Sequence, residues 1–74
     1  MTQEYNGHKD KGHWNIALWI NNSEGLYHWA VELVKEHGRR KAARIMANDL
    51  AGTRTPDGFK YTLPRIYEAL EDIV

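Results

Sequence analysis

The sequence contains no cysteine, and that absence sets the first limit on the chain. Without cysteine there is no disulfide framework and no thiolate zinc site, which fits a reducing compartment. Long apolar runs are missing too. None nears the roughly 18 residues that a membrane-spanning helix needs. The opening Met1-Thr2-Gln3-Glu4-Tyr5 is polar and lacks the apolar core of a signal peptide. The expectation is a cytoplasmic protein with no membrane role. Net charge is also lacking, since ten Lys and Arg balance ten Asp and Glu. That balance argues against a strongly acidic DNA mimic. It also disfavours a general nucleic-acid binder, which normally carries a basic excess.

Catalytic patterns are missing as well. His8, His13, His28 and His37 include no pair four residues apart, and there is no HExxH motif. They read as surface or capping groups, and no metal is expected. Ser23, the one serine, sits where a helix cap would stand. No glycine-rich phosphate loop is present. Glu68, Glu71 and Asp72 read as the solvated face of a helix. No catalytic residue, no cofactor and no enzymatic activity are expected.

What the chain does have is length for one small domain, residues 1–74. A chain of this size buries only about 60% of its unfolded surface, so its core must use large side chains. Eight aromatics supply them: Tyr5, Trp14, Trp19, Tyr27, Trp29, Phe59, Tyr61 and Tyr67. Such a core typically leaves only about 3–5 kcal/mol of stability.

The pattern along the chain predicts a mostly α fold, a compact bundle of three to four helices. Residues 1–12 read as an irregular N-terminal arm that Tyr5 can pin to the core. Trp14 to Ile20 is apolar except for Asn15. Such a short run fits a buried strand or a buried helix, and helix is chosen. Asn21 with Glu24 is close to a capping box, and Ser23 is the alternative cap. A helix then runs to His37, with Leu26, Ala30, Leu33 and Val34 as its stripe and Gly38 as its stop. A third helix spans 39–51, its narrow apolar face built from Ala42, Ala43, Ile45, Met46, Ala47 and Leu50. Thr55-Pro56-Asp57-Gly58 signals a turn, and a short hairpin can form over 53–61. Thr62 is placed as the cap of a last helix, whose stripe is Leu63, Ile66, Tyr67, Leu70, Ile73 and Val74.

The zero net charge hides an uneven distribution. Residues 1–37 and 61–74 each carry −2, and residues 38–60 carry +4. The densest part is Lys35, Arg39, Arg40, Lys41 and Arg44. Arg40 and Arg44 lie one helical turn apart and can reach one partner. Three readings are open: a solvated face partly paired with Glu32 and Glu36, a phosphate contact, or a contact to an acidic protein surface. Three basic residues at the start of a helix oppose its dipole, which hints at a use for the charge. One of the three tryptophans is expected to be exposed as an interface anchor, and Trp29, off the main stripe of its helix, joins the partner-binding set.

Tyr5-Asn6-Gly7-His8, followed by His13-Trp14-Asn15-Ile16-Ala17-Leu18-Trp19-Ile20-Asn21-Asn22-Ser23-Glu24-Gly25-Leu26-Tyr27, resembles a family of short uncharacterised proteins from tailed phages and related mobile elements. Its members share a block like YNG…WNxALWxxNxEGLY. Thr55-Pro56-Asp57-Gly58-Phe59-Lys60-Tyr61-Thr62 is similar to some members. The family carries no established activity, so the resemblance transfers no functional residue. It implies a phage-encoded accessory protein, and proteins of that kind often disable a host machine such as a CRISPR effector. The expectation is therefore a non-enzymatic inhibitor that binds a host protein or protein–nucleic acid complex through Lys35, Arg39, Arg40, Lys41, Arg44 and Trp29. The alternative is a small nucleic-acid-binding module using the same basic cluster.

Overall fold

Helix α1 (Lys11–Asn22) starts where Asp10 can cap it. The Asp10 carboxylate accepts the His13 backbone N–H at 2.9 Å and so satisfies one orphan donor of the first turn. The computed structural model describes residues 10–73, with Asp72 described by its backbone alone. The irregular arm expected over residues 1–12 is therefore shorter at its inner end, because Lys11 and Gly12 are already helical. The expected role of Tyr5 lies outside the described residues.

The apolar run from Trp14 to Ile20 is helical. Ile16, Ala17 and Ile20 are buried together, whereas a strand would put Ala17 on the face opposite the two isoleucines. Ser23 is the hinge between two helices. Its N–H closes α1 on the Trp19 carbonyl at 3.0 Å, and its hydroxyl caps α2 (Glu24–His37) by accepting Leu26 N–H at 3.4 Å. Asn21 does not cap α2, since its amide donates back to the Ala17 carbonyl at 2.8 Å. Gly38 stops α2 at φ 85 and ψ 163, a region that essentially only glycine enters.

Helix α3 (Arg39–Asp49) ends two residues before the expected boundary at 51. The turn that follows leads into a hairpin reduced to one antiparallel bridge, Arg54 opposite Lys60. Thr55 N–H donates to the Phe59 carbonyl at 2.8 Å, and Tyr61 N–H to the Thr53 carbonyl at 3.2 Å. Gly58, at φ 95, closes the tip with an N–H bond to the Thr55 carbonyl at 2.8 Å. Helix α4 (Leu63–Ala69) then runs into a 3₁₀ turn (Leu70–Asp72). Thr62 stands at the N-cap of α4, but its side chain makes no capping bond, which corrects the expected role.

Among the described residues the fold is a mostly α bundle of four helices. α1 packs against α4 and α2, and α3 packs against α2 and α4. Ala42 and Ala43 are fully buried and let α3 approach its neighbours closely, with Met46 filling the space beyond them. Ile16, Ile20, Ile66 and Leu70 complete the centre. α2 is peripheral: of its apolar residues only Ala30 is buried outright, and Leu26, Trp29, Val31, Leu33 and Val34 are half-covered. Leu63, expected in the core stripe of α4, is 43% exposed because it opens the first turn at the rim. Among the described residues no helix is long and apolar enough to cross a membrane.

Candidate functional site

The basic cluster divides into two parts. α3 begins at Gly38, which offers no side-chain cap, so its first-turn cations face an uncompensated dipole. Arg39 turns away from that end. Its Nε donates to the Tyr67 carbonyl at 2.8 Å, and its guanidinium carbon lies 3.8 Å from the Tyr67 ring centroid. Tyr67 sits in the last turn of α4, where helix carbonyls lack intrahelical partners. The charge that is unfavourable at the start of α3 thus becomes favourable at the end of α4. Arg39 is an internal strut that docks one helix on another.

Arg40, Lys41 and Arg44 are exposed on α3. Among the described residues none of them forms an ion pair within 4.0 Å. The neutralising partners considered from sequence do not reach them. Glu36 faces its neighbour His37 at 3.6 Å, and Glu32 forms no ion pair among the described residues. Arg40 and Arg44 form a ridge between two shallow depressions. One, of about 360 Å³, has an apolar floor of Leu63, Pro64 and Tyr67. The other is lined by His37, Lys41, Ile45 and Asn48 together with the two arginines. Lys35 is exposed on α2 and Trp29 is half-buried against the core, and neither lines these depressions. The structure therefore brings together Arg40, Lys41 and Arg44, whereas Lys35 and Trp29 line neither depression and Arg39 is engaged on the floor residue Tyr67.

No tryptophan is fully exposed, which corrects the expectation of an exposed one. Among the described residues the large exposed apolar side chains are Tyr27 at 36% and Leu63 at 43%, and Leu63 belongs to the ridge's apolar floor. Trp19 is held by a polar contact that sequence reading missed. Asp57, at the hairpin tip, accepts Asn15 Nδ2 at 2.8 Å and Trp19 Nε1 at 3.0 Å. These bonds, the Asn15 amide foremost, hold the Asp57 carboxyl below its ordinary range. Thr55, which is buried, donates its hydroxyl to Asn15 Oδ1 at 2.6 Å and accepts Phe59 N–H at 3.2 Å. Asn15 and Trp19, four residues apart, share one face of α1 and grip the hairpin. The signal for this was present in sequence: a lone amide in an apolar run, with an indole one turn later. Every buried side-chain polar atom among the described residues is satisfied, so the cluster is a structural clamp.

His13 is equally committed. Its Nδ1 lies 2.9 Å from Asp10 Oδ1, beside the backbone capping bond. Among the described residues no three His, Cys, Asp or Glu side chains gather as metal ligands.

No curated protein and no solved structure matches the chain. A family model matches it from residue 1 to residue 74, and the chain belongs to that family, DUF7249, a family of unknown function.

Proposed function

We propose that the chain is a non-enzymatic binding protein that recognises an acidic protein surface through the Arg40–Arg44 ridge and its apolar floor. The observation that carries this reading is the pair of exposed arginines, one turn apart and free of ion pairs among the described residues, beside a Leu63 that is 43% exposed. Holding cations together without carboxylates costs stability unless a partner supplies the opposite charge. Arg and aromatic side chains around an apolar centre form the energetic middle of protein interfaces. Arg39 lies over the Tyr67 ring, which takes that ring face away from a stacking base. The ridge therefore suits protein better than single-stranded nucleic acid.

The resemblance to phage proteins supports a more specific form of the reading. In it the chain is a phage-encoded inhibitor acting in the host cytoplasm, with a host defence such as a CRISPR effector as its target. The test is affinity purification of the tagged chain from a CRISPR-bearing host, paired with a plasmid-interference assay. The reading expects an effector subunit in the eluate and reduced interference, both abolished by Arg40→Ala with Arg44→Ala. Undiminished capture by that double variant refutes the site. Tight binding of bare DNA or RNA, weakening steeply with salt, favours a nucleic-acid module instead.

A further inference from the structure

A second basic concavity lies where the hairpin meets α1 and α4, and Pro64 is the one residue that lines both it and the depression beside the α3 ridge. Its wall includes His13, Arg54, Phe59, Lys60, Thr62 and Arg65 around about 410 Å³. Arg54 and Lys60 are directly opposite across the single bridge. The flanking bonds, Thr55 N–H to Phe59 and Tyr61 N–H to Thr53, make this the closely spaced, non-hydrogen-bonded type of pair. Like charges opposite each other in such a pair repel and destabilise the hairpin.

The two arginines are also held in position. Arg54 Nη1 donates to the Gly58 carbonyl at 3.0 Å, and Arg65 Nη1 donates to the Lys60 carbonyl at 2.9 Å. Each guanidinium is anchored by one nitrogen and keeps further N–H donors. Arg65 lies against Gly12, where a Cβ would come within 2.6 Å of Nη2. Glycine inside a helix is a cost relative to alanine, and here it makes room for the guanidinium. Among the described residues no carboxylate pairs within 4.0 Å of Arg54, Lys60 or Arg65. Asp10 is engaged by His13, and Asp57 by Asn15 and Trp19.

We infer that this concavity is a binding site for a phosphate group. The donors select the ligand class. Two anchored guanidiniums and the Lys60 ammonium line one concavity, while the carboxylates of the region among the described residues, Asp10 and Asp57, are held by His13, Asn15 and Trp19. Arginine forks and a lysine are the donors phosphate takes, and the Thr62 hydroxyl, unused as a helix cap, adds another. The site shares no cation with the α3 ridge and stands independently of the function proposed there.

The experiment is a titration of the full chain with inorganic phosphate at low ionic strength. Binding is followed by NMR at the Arg54 and Arg65 Nε–H groups and the His13 ring, with sodium chloride as the matched control. Saturable shifts at these groups, absent with chloride, are expected. Lys60→Gln and Arg65→Gln should each weaken binding about tenfold, the loss of one charge-assisted donor group. Lys60→Gln should leave the melting temperature unchanged or raise it, because it removes the repulsion with Arg54. Arg40→Gln with Arg44→Gln should leave phosphate binding intact. A nucleoside monophosphate that binds more tightly than a short single-stranded oligonucleotide assigns a phosphomonoester; the reverse order assigns a nucleic-acid backbone. Identical shifts with chloride, undiminished affinity in both Gln variants, or loss of binding in the Arg40/Arg44 variant overturns the inference.

Discussion

Asn15→Leu tests the clamp that holds the hairpin on α1. Asn15 is 1% exposed, donates to Asp57 and accepts from the Thr55 hydroxyl. Leucine has the same branched, four-atom side chain, so the change removes hydrogen bonds without opening a cavity. The buried Thr55 hydroxyl is then left without its acceptor, which costs roughly 1–3 kcal/mol. The lost Asn15–Asp57 bond adds about 1 kcal/mol, so the total is about 2–4 kcal/mol. For a domain with about 3–5 kcal/mol to spare, that is a large part of the margin. At about 4–8 °C per kcal/mol, the melting temperature should fall by at least about 8 °C. Urea unfolding followed by tryptophan fluorescence reads the same loss, and Trp19, bonded to Asp57, lies beside the perturbation. The decisive measurement is the double-mutant cycle with Thr55→Val. With both polar partners gone, no buried hydroxyl is stranded, so the pair should cost less than the sum of the singles by about 1 kcal/mol or more. A cost below about 0.5 kcal/mol for Asn15→Leu, or strict additivity in the cycle, would refute the reasoning.

Three further outcomes follow from the fold. Arg39→Met should destabilise the protein by about 1–2 kcal/mol in thermal unfolding, through loss of the Tyr67 carbonyl bond and the ring contact, whereas Arg40→Met should stay within about 0.5 kcal/mol. Gly38→Ala should cost about 1–3 kcal/mol by urea denaturation, since φ 85 with ψ 163 strains any residue with a Cβ; an unchanged midpoint would show that the helix junction relaxes freely. Asp10 is held below its ordinary value of 3.8 by His13 N–H and then the His13 ring, and Asp57 by the Asn15 amide and then the Trp19 indole. A lowered folded-state value means their stabilisation is complete above 3.8 and is lost as pH falls through 3.8 towards the folded value. Melting temperatures in that window should therefore drop, and Asp10→Asn with Asp57→Asn should flatten the drop; an equally steep loss in the double variant would assign acid sensitivity elsewhere.

Much of the helical framework was legible because its signals are local. A 3.6-residue period, a serine before an apolar stripe and a glycine after it act within one or two turns. Ser23, Gly38 and the stripes of α2 and α3 follow directly from that. The hairpin was legible for the same reason, since Pro56, Asp57 and Gly58 encode a turn by their own backbone preferences. Boundaries were less so. Asp10 moved the start of α1 upstream with one side-chain bond, and Thr62 formed no cap although its position suits one.

Chemical type and approximate place along the chain are properties of sequence: a cysteine-free, charge-balanced helical domain with a basic middle. Which cations share a face is decided by tertiary packing. Arg39 and Arg40 are neighbours in the chain, yet one reaches inward to α4 and the other stays on the surface with Arg44. Arg54, Lys60 and Arg65 form no group in one dimension, because a chain reversal, a glycine in α1 and two backbone carbonyls are needed to gather them. Local propensity acts over a few residues, whereas charge and hydrogen bonding act over distances in space. Separations of 40 and 42 residues between Asn15 and its partners Thr55 and Asp57 collapse to 2.6 and 2.8 Å only once the helices have packed.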